Sequence, residues 1–274
     1  MLGTVSVTNI AAMAFTAVVT VLIPIAAFII LNKKVKCKQT CLLVGVGTFI
    51  VCALILESIV NYAVSRFLGE TLRENIWVYA LYGGLAAGLF EETGRYISMK
   101  LFMKKDLTKQ NALMYGIGYG GAEAVIVGTM TYVSNIAVSV LINIGQFEPM
   151  LAELDKATKA QVIEQYSALW NLPAYEFLLA GLERASAFVL QLCFTYIIYR
   201  AVKNKKPAFY VLSVFMHFAV DAGTVLLLKK AMLVSVAVEL ILVAVTAVLA
   251  TVIYKQYKAE KEEVPENREP LTTQ

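Results

Sequence analysis

An all-α polytopic membrane protein, with about seven transmembrane helices around a buried polar site, is the fold class this sequence predicts. Three observations predict it. Of the 274 residues, 59% are hydrophobic and 16% charged, whereas soluble domains average about 45–50% apolar and about 25% charged. The mean hydropathy is +0.68. Apolar stretches long enough for a bilayer crossing, roughly 20 residues each, recur along the chain. With those stretches taken out no soluble domain remains, so residues 1–254 read as one transmembrane domain. Residues 255–274 are charged, carry Pro265 and Pro270, and read as a disordered cytoplasmic tail.

The first span, 7–31, lacks a basic leader and is too long for the apolar core of a signal peptide. The second, 40–67, carries Glu57, which reads as a lone helix-packing acid. The third, 76–102, holds Phe90-Glu91-Glu92-Thr93-Gly94-Arg95 near its middle. The fourth and fifth, 112–144 and 173–202, exceed what a bilayer requires, so they are tilted, broken or extended. The sixth and seventh are 208–228 and 232–254. Between spans four and five, residues 145–172 include Leu151, Leu154, Val162 and Leu169 at helical spacing, which suggests a helix lying on the outer surface.

The loops set orientation. Lysines 33, 34, 36 and 38, lysines 100, 104, 105 and 109, and Arg200 with lysines 203, 205 and 206 mark three alternate connections. Positive-inside logic then puts the N-terminus outside and the C-terminus in the cytoplasm. The net charge of +4 comes from these loops and speaks for a lipid bilayer partner, not for nucleic acid. Cys37, Cys41, Cys52 and Cys193 form no metal-type set.

Charged groups at membrane depth are costly, and usually face a bundle interior or a wet cavity. On a helix Glu91 and Arg95 share a face and can pair, which leaves Glu92, turned about 100° away, available for another task. Span four contributes Tyr119 and Glu123, span five Glu183, Arg184 and Gln191, and span six His217 and Asp221. Six acids, Glu57 included, face two arginines and one histidine. That surplus suits general acid/base chemistry, a hydrogen-bond network or a proton relay. His217 and Asp221 are four apart, so the carboxylate can orient the imidazole. Gly116 and Gly120, also four apart, allow a close helix approach. At about 1.5 Å rise per residue, Glu91, Glu123 and His217 fall between the midplane and the cytoplasmic leaflet, with Glu183 near the midplane. One histidine and no suitable thiols predict no zinc site and no cofactor, while the carboxylates leave a site for a harder ion open.

Glu91-Glu92-Thr93-Gly94-Arg95-Tyr96, the 116–123 segment, Glu183-Arg184 and His217 with Asp221 together resemble the YhfC family of intramembrane proteases. That family is similar to the CAAX-processing and bacteriocin-immunity membrane peptidases of the glutamic type. The resemblance covers nearly the whole chain and implies a bacterial cell-membrane peptidase acting on a hydrophobic or membrane peptide. It implies Glu91 as the activator of water and His217, followed by Asp221, as an oxyanion stabiliser. Arg95 would orient the glutamates, with Glu123, Glu183 and Arg184 in support. The chain departs from the family pattern at two histidine positions, where it has Tyr119 and Gln191; Tyr119 has the reach to position water. Two other readings use the same residues: a pseudoprotease that binds membrane peptides, and a proton-coupled carrier. A carrier is favoured by repeat symmetry, and the sequence shows no repeat.

Overall fold

The computed structural model describes residues 3–231 and 234–260, and among them there are helices and connections but no strand. The long helices are α1 (Val7–Lys34), α2 (Thr40–Glu74), α3 (Ile76–Phe102) and α4 (Lys109–Asn143). Three short helices follow, α5 (Phe147–Met150), α6 (Lys156–Tyr166) and α7 (Ala168–Asn171). The chain then returns through α8 (Ala174–Lys203), α9 (Pro207–Lys229) and α10 (Ser235–Ala259). Their starts are locally encoded. Ser6 Oγ accepts from the Asn9 amide, Asn75 Oδ1 from Trp77 and Val78, and Thr108 Oγ1 from Asn111, which satisfies amides that a helix leaves unpaired at its N-terminus. Pro207 opens α9, where its missing N–H costs nothing.

Among the described residues six helices, α1, α2, α4, α8, α9 and α10, are long and apolar enough to cross a membrane. The expected seventh span, α3, is one unbroken helix of 27 residues but falls outside that set, because Glu91, Glu92 and Arg95 dilute its apolar character. It packs against α2, α8 and α9. Helices α2 and α4 are each 35 residues long, about 50 Å at 1.5 Å per residue. Each carries a π-helical segment, Ile50–Glu57 in α2 and Ala124–Thr129 in α4. So the over-long fourth stretch continues as one rod with a widened turn. Such turns are frequent at functional sites; Glu57 is the last residue of the first and Glu123 immediately precedes the second.

Two hydrophobic clusters hold the bundle. The larger joins α2, α3, α4, α8 and α10 through Met99, Met114, Tyr115, Tyr119, Phe194 and Ile198. The second gathers Val5, Met13, Tyr132, Ile142, Phe147, Leu151, Leu169 and Phe177. The 145–172 connection is thus a packed cap of three short helices rather than one surface helix, with Phe147, Leu151 and Leu169 as its anchors. The start of α1 is fastened to this region. Asn143 exchanges two hydrogen bonds of 2.8 Å with the Val5 backbone, and Asn9 Nδ2 donates to the Leu169 and Leu172 carbonyls.

At the other end α10 continues to Ala259, past the expected boundary at residue 254. Glu260 accepts from Tyr196 Oη at 2.8 Å, Tyr199 Oη at 2.6 Å and Lys203 Nζ at 3.0 Å. The first residues assigned to the tail therefore belong to the bundle; 261–274 lie outside the described residues.

Candidate active site

The Glu-Glu-Thr-Gly-Arg turn of α3 lies where α8 and α9 meet that helix. Close approach of α9 depends on small residues. A side chain at Gly84 would meet the Phe218 carbonyl at 2.8 Å, and one at Gly88 the Val214 carbonyl at 2.9 Å. Gly116 and Gly120 do the same work for α4, resting on Leu192 and Thr195, and on Gln191 and Phe188, of α8.

Arg95 is fully buried and binds both glutamates rather than one. Its Nη2 donates to Glu91 Oε2 at 3.0 Å and to Gln191 Oε1, and its Nη1 donates to Glu92 Oε1. The guanidinium lies 4.0 Å from the centre of the Tyr119 ring, a cation–π contact.

Glu92 is the opposite of the available carboxylate that helical spacing suggested. It is fully buried, and beyond Arg95 it receives Ser213 Oγ at 2.7 Å on Oε2 and His217 Nδ1 at 2.8 Å on Oε1. The imidazole is oriented by Glu92 more closely than by Asp221, which lies 3.5 Å from Nε2 and is 41% exposed. An ionised carboxylate only accepts, so Nδ1 carries the proton. Nε2 is then an acceptor in the neutral ring and a donor in the imidazolium. Phe194 stacks on the ring at 4.8 Å and fixes its plane.

Glu91 is the glutamate that meets open space. Its Oε2 is shared by Arg95 and by Gln191 Nε2 at 3.1 Å, and Gln191 also donates to Glu123. A cavity of about 370 Å³ is lined by Glu91, Gln191, His217, Asp221 and Glu123, with the Arg184–Glu183 ion pair on its wall. Leu190, Phe194, Val220 and Leu242 supply apolar wall.

Most of the expected residues therefore converge. Tyr119 does not reach the cavity. It is buried between Phe49, Tyr115 and Arg95, and its hydroxyl has no hydrogen-bond partner among the described residues. Glu57 is not lone: it accepts from Asn61 Nδ2 at 3.2 Å, and Asn61 in turn accepts from Tyr82 Oη at 2.6 Å. Ser213 was missed by the sequence reading, although it stands four residues before His217, on the same helical stripe. Glu239 was missed too. It is buried in α10 with Oε2 unpartnered among the described residues.

With this geometry in hand, the comparisons decide the family. Residues 19–242 match the family described as YhfC intramembrane metalloprotease. The chain belongs to the YhfC intramembrane metalloprotease family. It is 32% identical over 238 residues to the membrane protein YhfC of Bacillus subtilis (strain 168), itself described as uncharacterized, covering 86% of this chain and 91% of that protein. No solved structure matches. The YhfC description names a metal, and the donors here do not fit one. A protein metal site takes about three nitrogen, oxygen or sulfur ligands. Among the described residues no three His, Cys, Asp or Glu side chains are grouped to hold an ion. The chain's single histidine is tied to Glu92, and both oxygens of Glu92 are committed.

Proposed function

We propose that the cavity is the hydrolytic site of an intramembrane peptidase, cleaving a hydrophobic or membrane peptide without a cofactor. Glu91 takes a proton from water, and the hydroxide oxygen attacks the scissile carbonyl. His217 Nε2, in the doubly protonated ring, donates to the resulting oxyanion. Glu91 then returns the proton to the leaving nitrogen as the C–N bond breaks. Arg95 positions Glu91, and Glu92 with Ser213 positions His217. Glu123, Glu183, Arg184 and Asp221 shape the wall that receives the peptide. The observation that carries this reading is that Glu91 and His217 line one cavity, each held from behind by buried partners. Family membership supports it.

The orientation we propose has the N-terminus outside and the C-terminus in the cytoplasm, from the basic loops at 33–38, 100–109 and 200–206. Cysteine labelling of intact cells checks it: residues of the 145–172 cap should label and those of 103–108 should not.

The decisive measurement is proteolysis in proteoliposomes of purified protein with candidate membrane peptides. Wild type should cleave and Glu91→Gln, folded, should not; equal cleavage by both overturns the reading. The burial of Tyr119 away from the cavity favours a second reading, in which the same pocket holds a membrane peptide without cutting it. Saturable peptide binding with no cleavage by wild type would decide for that one.

A further inference from the structure

We propose that the Arg95 guanidinium is the resident cation of this site, standing where a divalent metal would have to stand, so that the polar centre takes no metal ion. This does not depend on whether a peptide is cleaved. It rests on how the centre is filled.

Two carboxylates from one turn of α3 converge, and the charge between them is the guanidinium. Arg95 donates to Glu91, to Glu92 and to Gln191, and its flat face is covered by the Tyr119 ring. Arginine keeps its proton in proteins, so this positive charge is permanent. A divalent ion bound by the same two carboxylates would meet it at contact distance in a low-dielectric setting, where like charges repel most strongly. Arg95 has no easy exit, because Tyr119 and the carboxylates enclose a side chain with no exposed surface.

The donor count agrees. Glu92 is saturated by Arg95, His217 and Ser213. His217 Nδ1 is spent on Glu92, so of the groups around Arg95 one imidazole nitrogen and one carboxylate, Glu91, are left facing the cavity; Asp221, Glu123 and Glu183 line it too, yet among the described residues no three such side chains are grouped to hold an ion. Gln191 and Tyr119 both touch the Arg95 guanidinium, one by a hydrogen bond and one through its ring face. Cys52 faces Gly94 along an apolar groove between α2 and α3, away from the cavity polar wall. A fixed guanidinium holds Glu91 in place and balances its charge, which a metal would otherwise do, while leaving no open coordination position.

The test uses the full-length protein in detergent and zinc or manganese alone as probe. Wild type, exposed to excess metal and then gel-filtered, should hold well under one equivalent by elemental analysis, and its Tm should not move with metal. Arg95→Gln, which bares the carboxylates, should melt below wild type and be raised by a few degrees on adding zinc or manganese. Arg95→Lys, which keeps a charge, should not respond. One equivalent in wild type that disappears in both Glu91→Gln and His217→Ala overturns the proposal. Metal that survives both substitutions lies elsewhere and leaves it standing. A folded Arg95→Gln with no metal response also overturns it, since the guanidinium would not then be what occupies the place. If Arg95→Gln does not fold, the wild-type measurement alone decides. Cleavage is not read in any arm, so failure here and failure of the peptidase reading are separate results.

Discussion

His217 Nδ1 lies 2.8 Å from Glu92 Oε1, on a neighbouring helix. The glutamate that looked free in sequence is the one that sets the imidazole, and its neighbour Glu91 is the one that lines the cavity. Glu92→Gln replaces an acceptor-only partner by an amide that can present a donor, so the ring loses its enforced tautomer. Cleavage should fall about 100-fold or more, the low end of what positioned acid–base groups contribute. Asp221→Asn, at 3.5 Å and half-exposed, should cost much less. Comparing kcat/KM in proteoliposomes checks the order; equal losses would return the orienting role to Asp221.

Arg95→Leu removes the charge shared by Glu91 and Glu92 and strands two buried carboxylates. Breaking a buried pair from one side costs about 3–5 kcal/mol, so folded yield and Tm in detergent should drop sharply. Wild-type melting would show that the guanidinium contributes nothing to the fold.

Tyr119 separates ring from hydroxyl. Its hydroxyl is buried without a partner among the described residues, so Tyr119→Phe should melt at or slightly above wild type. Tyr119→Leu loses the face under Arg95, a contact of about 2 kcal/mol when desolvated, and should melt lower. A Tyr119→Phe protein as damaged as Tyr119→Leu would mean the hydroxyl is engaged.

Gly88→Ala would place a methyl 2.9 Å from the Val214 backbone, which can yield only by moving α9. Overpacking of this kind costs about 1–3 kcal/mol and should pull His217 off Glu92, lowering activity along with Tm. Gly83→Ala, with nothing within 4 Å, is the control and should be neutral in both.

Glu260 carries a pH dependence. Burial pushes its carboxyl up, but hydrogen bonds from Tyr199, Tyr196 and Lys203, with the lysine charge, outweigh this and hold it below the ordinary 4.5. A depressed folded-state value means the stabilisation is whole above about 4.5 and is lost as pH falls through the lower folded value. Limited proteolysis near the end of α10 should therefore accelerate below pH 4.5, and in Glu260→Gln already at neutral pH.

The helices were legible because apolar length and the Glu91–Arg95 interruption are local signals. Pairing at four-residue spacing also found Arg95 with Glu91, and placed His217 and Asp221 on one stripe. What spacing could not provide was the second helix at each contact. Glu92 seemed free because its partners, Ser213 and His217, come from more than a hundred residues away. Tyr119 was credited with reaching water because a helical wheel shows a face but not what covers it. The seventh span was counted by length, while its three charges set it apart from the other six. The 145–172 cap was read as one helix because its anchors, Phe147, Leu151 and Leu169, do not betray that they close over α1.

The buttoning of α1 sets an order of biogenesis. Val5 and Asn9 are held by Asn143, Leu169 and Leu172, and α1 packs on α8. When α1 leaves the ribosome none of these exist, so this helix must wait in lipid, unclasped, until residues 143–172 have followed it. A ribosome stalled before residue 172 should yield a nascent chain whose α1 stays open to crosslinking by lipid and insertase, and one stalled after α8 should not.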